Sequence, residues 1–175
     1  MKINAFLALC CLLAIGCKPV AENKAHLNST KTDLKIDTVP RVTGIGGIFF
    51  ESIDPKLTKV WYGEHLGLAI DKYGSPFEFR NANRPDEINY LMWSPFKKGS
   101  SYFQPSTAKF MINYRVQNLK GLVRNLKKQG VTVLDTIQEY DYGKFVHILD
   151  LDGNKIELWE PIDSVLTNLG GKTTK

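Results

Sequence analysis

The order of apolar and polar positions divides residues 41–163 into two stretches that repeat one pattern. In the first, residues 45–50 (Ile-Gly-Gly-Ile-Phe-Phe) form a β-type run. Asp54 followed by Pro55 then marks a helix start, a capping side chain with proline at the first helical position. Leu57, Val60, Trp61 and Leu66 keep an apolar stripe at helical spacing, and Gly67 supplies a left-handed stop. Residues 68–73 and 77–81 read as a hairpin over Gly74, Ser75 and Pro76, with a further strand at 90–93. In the second stretch, residues 110–116 are the strand, Asn118 the cap, and Leu119, Leu122, Val123 and Leu126 the stripe, stopped by Gly130. Residues 131–134, 144–149 and 155–159 predict three more strands, the last two joined through 150–154. Each stretch is therefore βαβββ.

One helix per half covers only one face of its sheet, so the expected fold is α+β. Two βαβββ modules form a curved mixed sheet around a cleft, with both helices on the convex side.

The ends of the chain read differently. Lys2 is a positive n-region and residues 5–15 are an apolar h-region, shorter than the roughly 20 residues a spanning helix needs. The run closes on Leu13, Ala14, Ile15, Gly16 and Cys17, which resembles the lipobox of a bacterial lipoprotein; the alternative is an ordinary secretory signal with Cys17 incidental. The expected organisation is a signal peptide at 1–16, lipidated Cys17 and a flexible polar tether at 17–40, a folded domain at 41–163 and a loose tail at 164–175. The expected address is the cell envelope, with the domain lipid-anchored to a membrane and exposed outside the cytoplasm.

The cysteines are Cys10, Cys11 and Cys17, so processing leaves none in the folded part. That excludes a disulfide, a cysteine nucleophile and a thiolate metal site. The formal net charge of +5 sits mainly at the ends, since acidic and basic residues nearly balance within 41–163. Nothing resembles a nucleic-acid footprint.

Over residues 42–161 the chain resembles the vicinal oxygen chelate superfamily, which includes glyoxalase I, bleomycin-binding proteins, fosfomycin-resistance transferases and extradiol dioxygenases. The resemblance rests on Phe145-Val-His-Ile-Leu-Asp-Leu-Asp-Gly-Asn-Lys-Ile-Glu-Leu-Trp159, similar to the family's terminal Asp-x-Asp-Gly hairpin leading into a strand with a metal-binding glutamate. Glu157 takes that glutamate's place. A second match is the first helix ending in His65-Leu66-Gly67-Leu68. The resemblance implies the fold above and often a homodimer. Its other metal positions fall on Gly47, which has no side chain, and near Met111, a soft thioether. With only Glu157 of the usual set present, no cofactor is expected; a divalent metal stays open only with a rearranged set such as Glu157 and His147.

Of the three histidines, His26 lies in the tether and His65 at a helix end, where a cation suits the dipole. His147 differs. A tight loop at 151–153 makes His147 face Glu157 and Phe145 face Trp159 across the hairpin, opposite the apolar Val146, Ile148, Ile156 and Leu158. Two readings of His147 and Glu157 stay open: a general acid-base pair, or a satisfied polar pair lining a pocket. By the same alternation Phe49 and Glu51, and Asn113 and Arg115, face inward. A pocket of Arg115, Asn113, His147 and Glu157 among Phe49, Trp93, Phe145 and Trp159, rimmed by Tyr142, suits a small, partly aromatic ligand with an anionic or carbonyl oxygen. The functional readings are a metal-independent small-molecule binding protein, a lyase, isomerase or transferase using Glu157 and His147, and a metalloenzyme with a rearranged site.

Overall fold

A computed structural model describes residues 38–175. The expected signal peptide at 1–16, Cys17, His26 and nearly all of the expected tether at 17–40 lie outside the described residues. Asp54 caps the first helix, its carboxylate accepting the N–H groups of Lys56 and Leu57 at 2.9 and 3.0 Å. That helix, α1 (Pro55–Leu66), follows strand β1 (Arg41–Ser52) and ends on Gly67 at φ 71°. Next come β2 (Ser75–Asn81), β3 (Arg84–Lys97), a 3-10 turn at Ser101–Phe103, β4 (Phe110–Gln117) and α2 (Leu119–Lys128). The chain closes with β5 (Gln138–Tyr140), β6 (Gly143–Leu149), β7 (Lys155–Pro161) and α3 (Asp163–Leu169).

The strands make one mixed sheet in the order β2-β3-β1-β4-β7-β6-β5. Its two halves meet at the antiparallel β1/β4 pair, while β1/β3 and β4/β7 are parallel. The α+β mixed-sheet expectation therefore holds, with differences in detail. Residues 68–73 are not a strand, because the Asp71 carboxylate accepts the N–H groups of Tyr73 and Gly74 at 2.7 and 2.8 Å and folds them into a turn. The edge of β2 is instead met by Thr174, which bridges to Phe77. Residues 131–134 form no strand but pair with the sheet through a single bridge, Val133/Ile148, and the short edge strand forms later, at β5.

Helix α2 behaves as its pattern predicts. Leu119 and Val123 are buried against Val116, Val146, Ile148 and Leu158, each large side chain contributing about 1.5–3 kcal/mol. Helix α1 does not. Tyr62 turns to the sheet against Trp93, centroids 4.5 Å apart, and Lys59 reaches the carbonyls of Asp71 and Lys72. This rotation leaves the apolar stripe outward, with Leu57 66% and Trp61 49% exposed. Both stripes lie away from the cleft, as expected.

The tail is also a correction. Residues 164–175, expected to be loose, contain α3 and end hydrogen-bonded to β2 through Thr174.

Candidate functional site

The terminal hairpin sets the site. Asp150 accepts the N–H groups of Asp152 and Asn154 at 2.9 and 2.8 Å, and Gly153 takes φ 79°. The resulting register pairs His147 with Glu157 and Phe145 with Trp159, as the loop length predicts. Val146 and Leu158 go to the α2 side, so the other four face a cleft of about 890 Å³.

Glu157, only 3% exposed, is the hub. Asn113 on β4 donates its amide to Oε1 at 2.6 Å. Oε2 accepts the Tyr102 hydroxyl and lies 3.0 Å from His147 Nε2. The other ring nitrogen of His147 is 2.6 Å from Asp135 Oδ2, while the backbone N–H of His147 donates to Asp135 Oδ1 at 2.8 Å. Asp135, His147, Glu157 and Tyr102 thus form one continuous chain of hydrogen bonds.

Electrostatics follow from that geometry. Burial alone lowers the His147 pKa, but the hydrogen bonds to Glu157 and Asp135 outweigh it and raise the value above its ordinary 6.5. The Tyr102 phenol is pushed well up by burial and by the Glu157 charge, which keeps it a donor. Lys155, whose Nζ donates to the Tyr102 carbonyl at 2.8 Å, is pushed down by burial.

Aromatic rings wall the cleft. Phe145 stacks on Trp159 at 5.7 Å, and Tyr140 on Tyr142 at 5.4 Å near the rim. Phe49 packs against Phe96 and Tyr102 on the opposite module. Of the residues the sequence assigns to the site, Glu157, His147, Asn113, Phe49, Phe145, Trp159 and Tyr142 come together here.

Arg115, Trp93 and Glu51 do not. Arg115, 2% exposed, pairs with Asp163, donates to the Tyr90 carbonyl at 2.9 Å and lies over the Trp159 ring at 5.2 Å. It lies behind Trp159 and is not among the residues lining the cleft. Trp93 sits on the other sheet face between Phe50 and Tyr62. Glu51 accepts the Gly99 N–H at 2.8 Å. The pattern missed Tyr102, which comes from a three-residue 3-10 turn without periodicity, and Asp135, which follows a stretch misread as a strand.

Two variants of Streptomyces coelicolor methylmalonyl-CoA epimerase in complex with 2-nitronate-propionyl-CoA have similar structures. Their TM-scores are 0.52 and 0.51 at 15% and 16% identity, covering 70% of this chain and 99% of each of theirs. The fold is therefore that of the vicinal oxygen chelate proteins. A glyoxalase/bleomycin resistance protein/dioxygenase superfamily member from Vibrio splendidus 12B01 also matches, with TM-score 0.43 and 13% identity over 69% of this chain and 98% of that one. No family profile and no curated protein matches the sequence.

The resemblance seen in the sequence implies a metal-binding glutamate at Glu157. The neighbouring residues here do not fit one. On β4 the residue beside Glu157 is Asn113; Met111, two residues earlier, is fully buried with Phe49 and Phe103. On β1, Gly47 pairs with Asn113, and a Cβ on the adjacent Gly46 would lie 2.2 Å from Asn113 Oδ1 and 2.8 Å from the Trp159 ring. There is no room at Gly46 for a ligating side chain. Both Glu157 oxygens already face donors. Among the described residues no group of three or more His, Cys, Asp or Glu is placed to hold a metal ion.

Proposed function

We propose that this chain binds a small, partly aromatic organic molecule in the cleft and does so without a divalent metal. The observation that carries this reading is the saturation of Glu157 by Asn113, Tyr102 and His147 at the floor of an aromatic-walled cavity. A buried carboxylate is costly unless paired, and three donors remove that cost while fixing the floor's shape. The volume lies in the range of small-molecule sites, and stacked rings suit a flat ligand. With Arg115 engaged by Asp163, the basic side chains an anionic ligand would meet in the cleft are His147 and the exposed Lys172.

One observation favours a second reading, catalysis by proton transfer. The Asp135-His147-Glu157 alignment orients an imidazole between two carboxylates, the arrangement of a general acid-base device in a lyase, isomerase or transferase. Residues 1–17 support an envelope address with Cys17 lipidated. Among the described residues no helix is long and apolar enough to cross a membrane.

The test is a thermal-shift screen with small carbonyl compounds, thiol conjugates and aromatic antibiotics, run with and without EDTA. A stabilising compound whose effect survives EDTA and is lost in Trp159→Ala supports the reading. Hits that require added zinc, nickel, iron or manganese overturn it. Turnover of a hit, abolished in His147→Gln, selects the second reading over simple binding.

A further inference from the structure

The C-terminal residues form part of the cleft wall, and their two ends are held very differently from their middle. Leu166, Leu169 and Gly170 through Thr173 line the cleft. At one end, Asp163 is bound to buried Arg115 and accepts the Asn89 amide at 3.1 Å. At the other, Thr174 is seated on β2. Its Oγ1 accepts the Ala69 N–H and meets Ser75 Oγ, both at 2.8 Å; its N–H donates to the Pro76 carbonyl at 2.8 Å and its carbonyl accepts the Glu78 N–H at 3.0 Å. Between these anchors α3 buries no residue, Leu169 is 73% exposed, and the side-chain contact to the sheet is the exposed Tyr90–Thr167 hydroxyl pair at 3.0 Å. Gly170 and Gly171 follow at φ 65° and 119°, where a glycine bends at no steric cost.

We propose that residues 163–175 are a strap that gates the cleft, hinged at the Asp163-Arg115 pair and latched by Thr174. The hinge is a charged pair inside the protein, backed by Trp159 and Phe79. The latch is a three-residue stretch on a sheet edge: Thr174, with Thr173 Oγ1 donating to Glu78 Oε2 at 3.1 Å and Lys175 Nζ 3.7 Å from the same oxygen, a small contact of the kind that opens locally without global unfolding. When Thr174 leaves β2, the Gly170-Gly171 bend lets the helix swing about Asp163 and uncovers Trp159. Thr174, Ser75 and the two glycines thereby set access to the cavity, and Leu166 and Leu169 set the shape of what it accepts. The biological meaning rests on the cleft being the binding site; the motion itself is readable without any ligand.

Two measurements on the full chain test it. In the wild type, hydrogen exchange should release the Thr174 and Glu78 amides at least about tenfold faster than those of Ile148 and Leu158, through local opening. In a Trp61→Phe, Trp93→Phe background that leaves Trp159 as the sole tryptophan, Thr174→Val should raise acrylamide quenching of Trp159 roughly threefold, with the circular dichroism spectrum unchanged. If the Thr174 and Glu78 amides exchange only with global unfolding, the strap is a fixed wall and the proposal is wrong, whether or not the variant folds. A folded Thr174→Val chain with wild-type quenching overturns it equally. A ligand screen that finds nothing changes neither readout.

Discussion

His147 stands directly opposite Glu157 across the β6/β7 ladder, with Nε2 3.0 Å from Oε2, so a titrating ring is wedged between that carboxylate and the one on Asp135. The folded-state pKa of His147 is raised, so its contribution to stability is complete below the unfolded value of 6.5 and is lost as pH rises through the folded value. Thermal melts should show wild type losing stability relative to His147→Gln as pH climbs from about 6.5 into the alkaline range. Parallel curves across that window would refute the charged-ring reading.

Glu157→Gln brings an amide N–H toward groups that now donate to the carboxylate. Breaking a buried charged network of this kind costs about 3 kcal/mol or more, measurable by urea denaturation. The same variant should weaken ligand binding or turnover while bound metal stays near zero. Stoichiometric zinc, nickel, iron or manganese in wild type, lost in the variant, would restore a metal site.

Gly46→Ala places a methyl group against Asn113 Oδ1 and Trp159. Overpacking should cost about 1–3 kcal/mol and push the Asn113 amide off Glu157. The clearest readout is the Asn113 side-chain NMR signal, which should lose its bonded shift. An unshifted signal at wild-type stability would mean the strand yields instead.

Cys17→Ser should abolish fatty-acid labelling and leave the precursor uncleaved by the lipoprotein peptidase. Persistent labelling, or none in wild type, would refute the proposed lipidation of Cys17.

What could be read from the sequence depended on how local the determinant was. The His147/Glu157 register follows from a short loop between them, and α2 from a stripe that packs as it is spaced. Asp54, Pro55 and Gly67 likewise mark α1 by local rules, yet which side of α1 faces the sheet was settled by Tyr62 meeting Trp93, a contact between elements. Arg115 shows the limit best. Strand alternation places it beside Asn113 on the cleft face, but its guanidinium is claimed by Asp163, 48 residues on and outside both βαβββ patterns. Tyr102 reaches Glu157 from a turn with no period to detect.

The separations along the chain also bear on the order in which the protein takes shape. Tyr102 meets Glu157 across 55 residues, and Ala69 meets Thr174 across 105. The hub carboxylate arrives on β7, and one wall of the cleft only with residues 166–173. Everything up to β6 can emerge from synthesis before the cleft has its floor. A chain cut just after β7 should therefore lack one wall of the cleft, which makes the cavity one of the last features to be assembled.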